Sequence, residues 1–271
     1  IYDGELRDLL PNGFGRTRHM SGETYIGNYL DGYRHGAGKL ISSDRTFKFG
    51  MWDGGILNVP RDKAFKDGSK IYGVDISHHQ PEIDWDNMML YADNNGDVFY
   101  KKARGRYNYP VPVSFVFLKA AEVIQKDSII FFVDSDYQKN ADLADKHHIV
   151  KGSYLFYKYG VVEPEVQIRH FIDNSRYDDG DLPPVLDVEM SITQVYNIGK
   201  ELVQKDVLEC LRIIERERGV KPILYASRSV YNSYLDAPEF KEYDLWIARY
   251  GSKDAGVDEH RFWQFSAYGE L

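Results

Sequence analysis

Two textures of apolar and polar positions divide the chain. In residues 1–60 glycines and aromatics recur in fixed phase: Tyr2-x-Gly4 returns as Tyr25-x-Gly27, Gly50 falls at the same offset again, and Gly13-x-Gly15 returns as Gly36-x-Gly38. A repeat of this length predicts one hairpin per unit, with aromatics such as Tyr25, Tyr29, Phe49 and Trp52 on one sheet face and glycines at turns that need positive φ. The third copy decays, with Lys48 at the aromatic position and Val59 where a turn glycine would fall, as a capping repeat does. A polar, Lys- and Asp-rich connector occupies 61–69, and the boundary lies near residue 68. Beyond it, apolar runs separated by helical stretches predict a parallel α/β sheet or barrel. The runs place strands at 71–77, 114–120, 149–157, 183–189, 221–227, 244–250 and 262–266. Between the fourth and fifth, Ile198, Leu202, Val203, Val207, Cys210, Leu211 and Ile214 keep helical spacing, so one helix buries this stripe with Cys210 as a small hydrophobe within it. Residues 86–113, polar, aromatic and punctuated by Gly and Pro, are too long for an ordinary βα connection and suggest a lid or cleft wall.

Composition narrows the classes. With 271 residues, the chain can hold one large domain, here 70–271, and a small one. The net charge is −8, with Lys and Arg neither in excess nor clustered, which argues against nucleic acid as a partner. Cys210 is the single cysteine, so neither an intramolecular disulfide nor a cysteine-based zinc site can form. No apolar run approaches the roughly 18 to 20 residues of a membrane helix. Because the chain opens at Ile1, inside a repeat and without Met, it is expected to be processed or trimmed, which leaves targeting open.

The chemistry is sought at strand ends, since the carboxyl ends of parallel strands build the site in such folds. In PPVLDVE, the apolar Val185-Leu186 leads into Asp187 and Glu189, and residues two apart on a strand share a face. Asp75 stands after Val74 in the same way at the end of the first strand. Carboxyls held this close raise at least one of their proton affinities, giving a donor beside an ionised neighbour. That combination suits glycoside hydrolysis, in which an acid protonates the leaving oxygen and negative groups stabilise oxocarbenium character. A metal reading of the same acids with His78 and His79 is disfavoured, because adjacent strand residues face opposite ways and neither HxH nor HExxH occurs. No metal or cofactor is therefore expected. His147 and His148 fall near a helix end and read as surface residues, and no G-x-S-x-G elbow is present for serine chemistry.

These residues carry two resemblances. The repeat over residues 2–57 resembles the MORN repeat, which implies recognition or attachment, with a plain β-extension as the alternative. YGVDISHHQ with Ile83-Asp84-Trp85, FVFLKAAE, Gly152-x-Tyr154, PPVLDVE, ILYAS, DLWIARY and FWQFS resemble, in order and spacing, glycoside hydrolase family 25, the Chalaropsis-type lysozymes. The resemblance covers roughly 71–268. It implies a flattened α/β barrel similar to a TIM barrel and cleavage of the β-1,4 bond between N-acetylmuramic acid and N-acetylglucosamine in peptidoglycan. Carried over by position, Glu189 is the general acid and Asp187 and Asp75 are its acidic partners. Tyr154, Tyr225, Trp246 and Trp263 are placed to stack on sugars, with a core role as the alternative, favoured for Trp246; with His78, Lys119, Glu122 and Gln264 they make up the expected substrate-binding set. The chain departs from the family at Ala121 and Leu155, where Thr and His are common, and both positions are expected to line the cleft. Other readings are a chitin-directed glycosidase or an inactive glycan-binding scaffold. A secreted or cell-envelope location and an extension beyond Leu271 are further expectations.

Overall fold

The computed structural model describes residues 1–41, 43, 47–57, 72–80, 82–85, 89–92, 98–99, 109–147 and 149–267. The connector at 61–69, Val59, His148, the side chains of Lys48 and Phe49 and most of the 86–113 stretch lie outside the described residues. Strands β1 (Tyr2–Arg7), β2 (Leu10–Arg18), β3 (Thr24–Leu30), β4 (Tyr33–Ile41), β5 (Phe47–Asp53) and β6 (Ile56–Leu57) form an antiparallel meander in chain order. Its register explains the repeat. Gly4 pairs with Gly15, Gly15 with Gly27, Gly27 with Gly38 and Gly38 with Gly50, so glycines form a row across five strands. Tyrosine rings lie across that row: a Cβ at Gly15 would collide with Tyr2, and one at Gly38 with Tyr25. Tyr25 then meets Tyr29 and Trp52 edge to face at 5.2 Å, and the Trp52 indole donates to the Gly38 carbonyl at 3.0 Å.

The second part of the chain runs β7 (Gly73–Ile76), β8 (Met89–Ala92), β9 (Val98–Phe99), β10 (Tyr109–Pro112), β11 (Phe115–Gln125), β12 (Ile129–Val133), α1 (Tyr137–Lys146), β13 (Val150–Phe156), α2 (Pro164–Asn174), β14 (Val185–Val188), α3 (Ile192–Ile198), α4 (Lys200–Arg218), β15 (Ile223–Ser227), β16 (Asp244–Ala248) and β17 (Phe262–Gln264). Within the stretch expected to be a lid, β8, β9 and β10 make a small antiparallel sheet of their own. The parallel strands β7, β11, β13, β14, β15, β16 and β17 pair in that order into a curled, half-barrel sheet, with each predicted strand present. The 11-residue β11 was expected to stop at 120; it continues and pairs with β12 beyond the reach of β7.

Both faces of the curled sheet are buried, which is why its strands read as continuous apolar runs. On the outer face Val116, Leu118, Leu155, Leu186, Val188, Leu224 and Ile247 join Ala141, Ile168, Phe171, Val207, Cys210 and Leu211 of the helices in one core. Each such aliphatic side chain contributes about 1.5 to 3 kcal/mol on burial. On the inner face Phe115, Phe117, Val185, Ile223, Trp246 and Phe262 form a second cluster. Phe117 stacks on Trp246 at 4.5 Å, and a Cβ at the paired Gly152 would stand 2.7 Å from the Phe117 ring, so glycine there makes room for the aromatic.

The N-terminal sheet meets the segment that leads into β14. Arg16 and Arg18 pair with Asp179, and Ile26 packs on Gly180. Contact is therefore on the side where β14 begins, away from the carboxyl ends of the parallel strands.

Candidate active site

Along each inward row the side chains change from apolar to polar toward the carboxyl end. Phe115 and Phe117 lead to Lys119, Val185 to Asp187 and Glu189, Ile223 to Tyr225, and Phe262 to Gln264. The polar ends converge on a cavity of about 320 Å³. Of the site residues expected from sequence, Asp75, Asp187, Glu189, Lys119, Glu122, Tyr154, Tyr225, Trp246 and Gln264 line it. Asp187 is buried within β14, and Glu189, one residue past the strand, is exposed. Trp246 and Tyr225 are almost wholly buried and serve as floor and core at once.

A bulge on β11 shapes one wall. Residues three apart on a regular strand face opposite ways, yet the register of β11 against β13 slips between Lys119 and Ala121. The slip brings Lys119 and Glu122 to the same side, where Lys119 Nζ meets Glu122 Oε1 at 2.9 Å. It also turns Ala121 into the outer core, where Leu155 lies as well, both fully buried. The two departures from the family pattern therefore do not line the cleft, contrary to the sequence expectation, because strand alternation and the bulge point them at the helices.

Hydrogen bonds order the opposite wall. Tyr225 and Tyr250 donate to Gln264 Oε1 at 2.8 and 2.7 Å, which leaves Gln264 Nε2 to donate to Asp75 Oδ2 at 2.8 Å. This bond joins β7 to β17, which are not paired as strands among the described residues. Asp187 Oδ1 is buried and has no hydrogen-bond partner among the described residues.

The electrostatics follow from this burial. Desolvation pushes the Asp187 carboxyl well above the usual carboxylate range, and the charges of Glu189 and Asp75 push it further. Glu189 is raised by burial and then by Asp75, against the pull of Lys158, Lys119 and a Tyr225 hydrogen bond. Asp75 is raised by burial and partly restrained by the bond from Gln264. The three carboxyls thus titrate as a coupled set that retains protons above the ordinary range. No group of three or more His, Cys, Asp or Glu side chains among the described residues is arranged to hold a metal ion.

Two expected binding residues point elsewhere. His78 Nδ1 contacts the buried Asp134 at 2.7 Å, the same carboxylate accepts from the His78 backbone at 3.0 Å, and the neighbouring His79 lines the cavity instead. The Trp263 indole donates to the Arg249 carbonyl at 2.9 Å and packs against the outer core. Ser77, Phe156 and Lys158 line the cavity without having been singled out. Continuing the period of two from Tyr154 would have found Phe156 and then Lys158. Nothing local pointed to Asp134 or Tyr250, which act through residues distant in the chain.

Known proteins share the fold and the family of this chain. The family model for glycosyl hydrolases family 25 matches residues 74–271. Among curated relatives, the uncharacterized protein YegX of Escherichia coli is 29% identical over 203 residues, 74% of this chain and 65% of its own length. Lysozyme M1 of Streptomyces globisporus is 23% identical over 216 residues, 76% of this chain and 65% of its own length. The chain thus spans about 65% of the length of these relatives. The solved structure of a family 25 glycosyl hydrolase from Bacillus anthracis is similar with a TM-score of 0.57 and 30% identity, over 76% of this chain and 83% of that one. A bacterial lysozyme from Streptomyces coelicolor, at 22% identity, shares the fold with a TM-score of 0.58 over 75% of this chain and 87% of its own. With the matched region taking in Asp75, Asp187 and Glu189, the chain belongs to glycosyl hydrolase family 25.

Proposed function

We propose that this protein is an N-acetylmuramidase that hydrolyses the β-1,4 bond between N-acetylmuramic acid and N-acetylglucosamine in peptidoglycan. The observation that carries the reading is the convergence of Asp75, Asp187 and Glu189 on one cavity, with all three carboxyls raised by burial, Asp187 also by the charges of Glu189 and Asp75, and Glu189 also by the charge of Asp75. Glu189 is the general acid. It is the most exposed of the three and stands past the end of its strand, where a glycosidic oxygen can reach it. In the open cleft, burial pushes Asp187 up further than Glu189, because water still reaches Glu189. A sugar over the mouth removes that water and raises Glu189 in turn.

Asp75, and Asp187 in its ionised form, supply negative charge beneath the sugar ring. Asp75 is steadied by Gln264, and Asp187 Oδ1, without a hydrogen-bond partner among the described residues, is free to face developing positive charge at the anomeric carbon. Carboxyls two residues apart, one within β14 and one just past its end, favour net retention, with Asp187 or the substrate's own N-acetyl group attacking the anomeric carbon. The relatives' names support the substrate, since one is a lysozyme. The N-terminal region, 1–60 followed by a connector at 61–69, serves as a MORN-like attachment or recognition module of a secreted or envelope protein.

Digestion of purified peptidoglycan, with chitin in parallel and mass analysis of the products, tests this. Fragments ending in reducing N-acetylmuramic acid are expected. Release of N-acetylglucosamine oligomers from chitin with peptidoglycan left intact would favour the chitin-directed alternative and overturn the reading.

A further inference from the structure

Two lysines face the cavity, and they differ in what they touch. Lys119 is buried and committed to Glu122 at 2.9 Å. Lys158 is half-buried, its ammonium 4.0 Å from the centre of the Phe156 ring, and among the described residues no carboxylate lies within ion-pair distance of it. The residue is nevertheless held firmly. Its backbone N–H donates to Gln167 Oε1 at 3.1 Å, and Gln167 Nε2 donates to its carbonyl at 2.7 Å, with Gln167 itself fully buried in α2. The fold thus holds the backbone of Lys158 in place and leaves its cation over an aromatic ring, in a cavity whose other lysine, Lys119, is paired with Glu122.

Such a cation works against the chemistry if it acts on the enzyme alone. Lys158 pulls Glu189 down, away from the protonated form that an acid catalyst needs. An anion brought by the substrate would cancel that pull at the moment of binding. We propose that Lys158 is a specificity-determining residue that pairs with a carboxylate borne by the glycan, the free lactyl acid of a muramic acid residue that carries no stem peptide. The inference rests on the muramidase reading and adds to it a preference for glycan strands whose peptides have been removed. The other carboxylate source, the stem peptide, is separated by the test.

The test compares kcat/KM on three soluble oligosaccharides of alternating N-acetylglucosamine and N-acetylmuramic acid: with free lactyl acid, with the lactyl group converted to a methyl amide, and with intact stem peptides. The wild type should prefer the free acid over the methyl amide. Lys158→Gln should lower that preference by about tenfold, mainly through KM, as expected for loss of one charge-assisted contact. Lys158→Arg should keep most of it. A lysine that only braces Phe156 would lower all three rates together and leave the ratio in place, which overturns the proposal. So does a wild-type preference for the peptide-bearing substrate that Lys158→Gln abolishes, because the anion is then the peptide's. A wild type that cleaves none of the three sinks the muramidase reading and this proposal with it, whereas cleavage with an unmoved ratio sinks the proposal alone.

Discussion

Glycine serves both sheets of this molecule by the same steric means and to different ends. In the N-terminal meander Gly15 and Gly38 receive Tyr2 and Tyr25, and the sheet covers one face with its own aromatics. In the curled sheet Gly73 and Gly152 receive the rings of Phe115 and Phe117, which fill the interior and leave the polar ends of the rows at the mouth. The first arrangement leaves its acids dispersed: Asp31 and Asp53 stand exposed at hairpins. The second gathers them, because strands running in one direction present the same ends to one place. Local sterics can therefore be shared by two regions while only the parallel, curled one concentrates charge.

The sharpest attack on this contrast is on the gathered acids. Glu189→Gln should lower turnover on peptidoglycan roughly a hundred- to ten-thousandfold, the span attributed to general acid catalysis, with the melting temperature nearly unchanged because the side chain is exposed. Near wild-type turnover in this variant would remove Glu189 from the role. Asp187→Asn should be comparably severe for activity and should differ in stability. In the unfolded chain an aspartate titrates at about 3.9, whereas burial raises Asp187 well above that value in the fold, so the folded protein binds the extra proton between the two values. Wild-type stability from this group is greatest below the unfolded value and falls as pH rises through the folded one. The melting temperature of Asp187→Asn should gain on wild type from about pH 4 upward and level off once the native carboxyl has ionised. A gap that narrows with rising pH would contradict the burial argument.

Smaller effects separate the two uses of glycine. Gly152→Ala should cost about 1 to 3 kcal/mol by overpacking Phe117 and should impair cleavage of soluble muropeptides, because the interior supports the cleft floor. Gly38→Ala should destabilise the N-terminal sheet by a similar amount and leave muropeptide cleavage intact. Equal losses of activity in both would show that the sheets are coupled. Smallest is the junction. Arg16→Ala removes a largely exposed pair with Asp179 and should change stability by no more than about 1 kcal/mol in chemical denaturation.

Much of this was legible in the sequence. Apolar runs located all seven parallel strands, the helical stripe placed Cys210 in the core, and the strand ends pointed to Asp75, Asp187 and Glu189, which line one cavity. The repeat told of hairpins, and register then showed why its glycines recur, as landing sites for tyrosine rings. These features rest on periods of two and 3.6 residues, which neighbouring residues set among themselves. Other features needed the assembled sheet. The bulge on β11 reversed the facing of Ala121 and joined Lys119 to Glu122. Asp134 drew His78 out of the cavity, and Gln264 reached Asp75 across 189 positions of chain. Alternation tells which residues share a face of one strand, but a slip in register or a partner on another strand depends on how the sheet curls. That curl is set by packing among all the strands and helices at once.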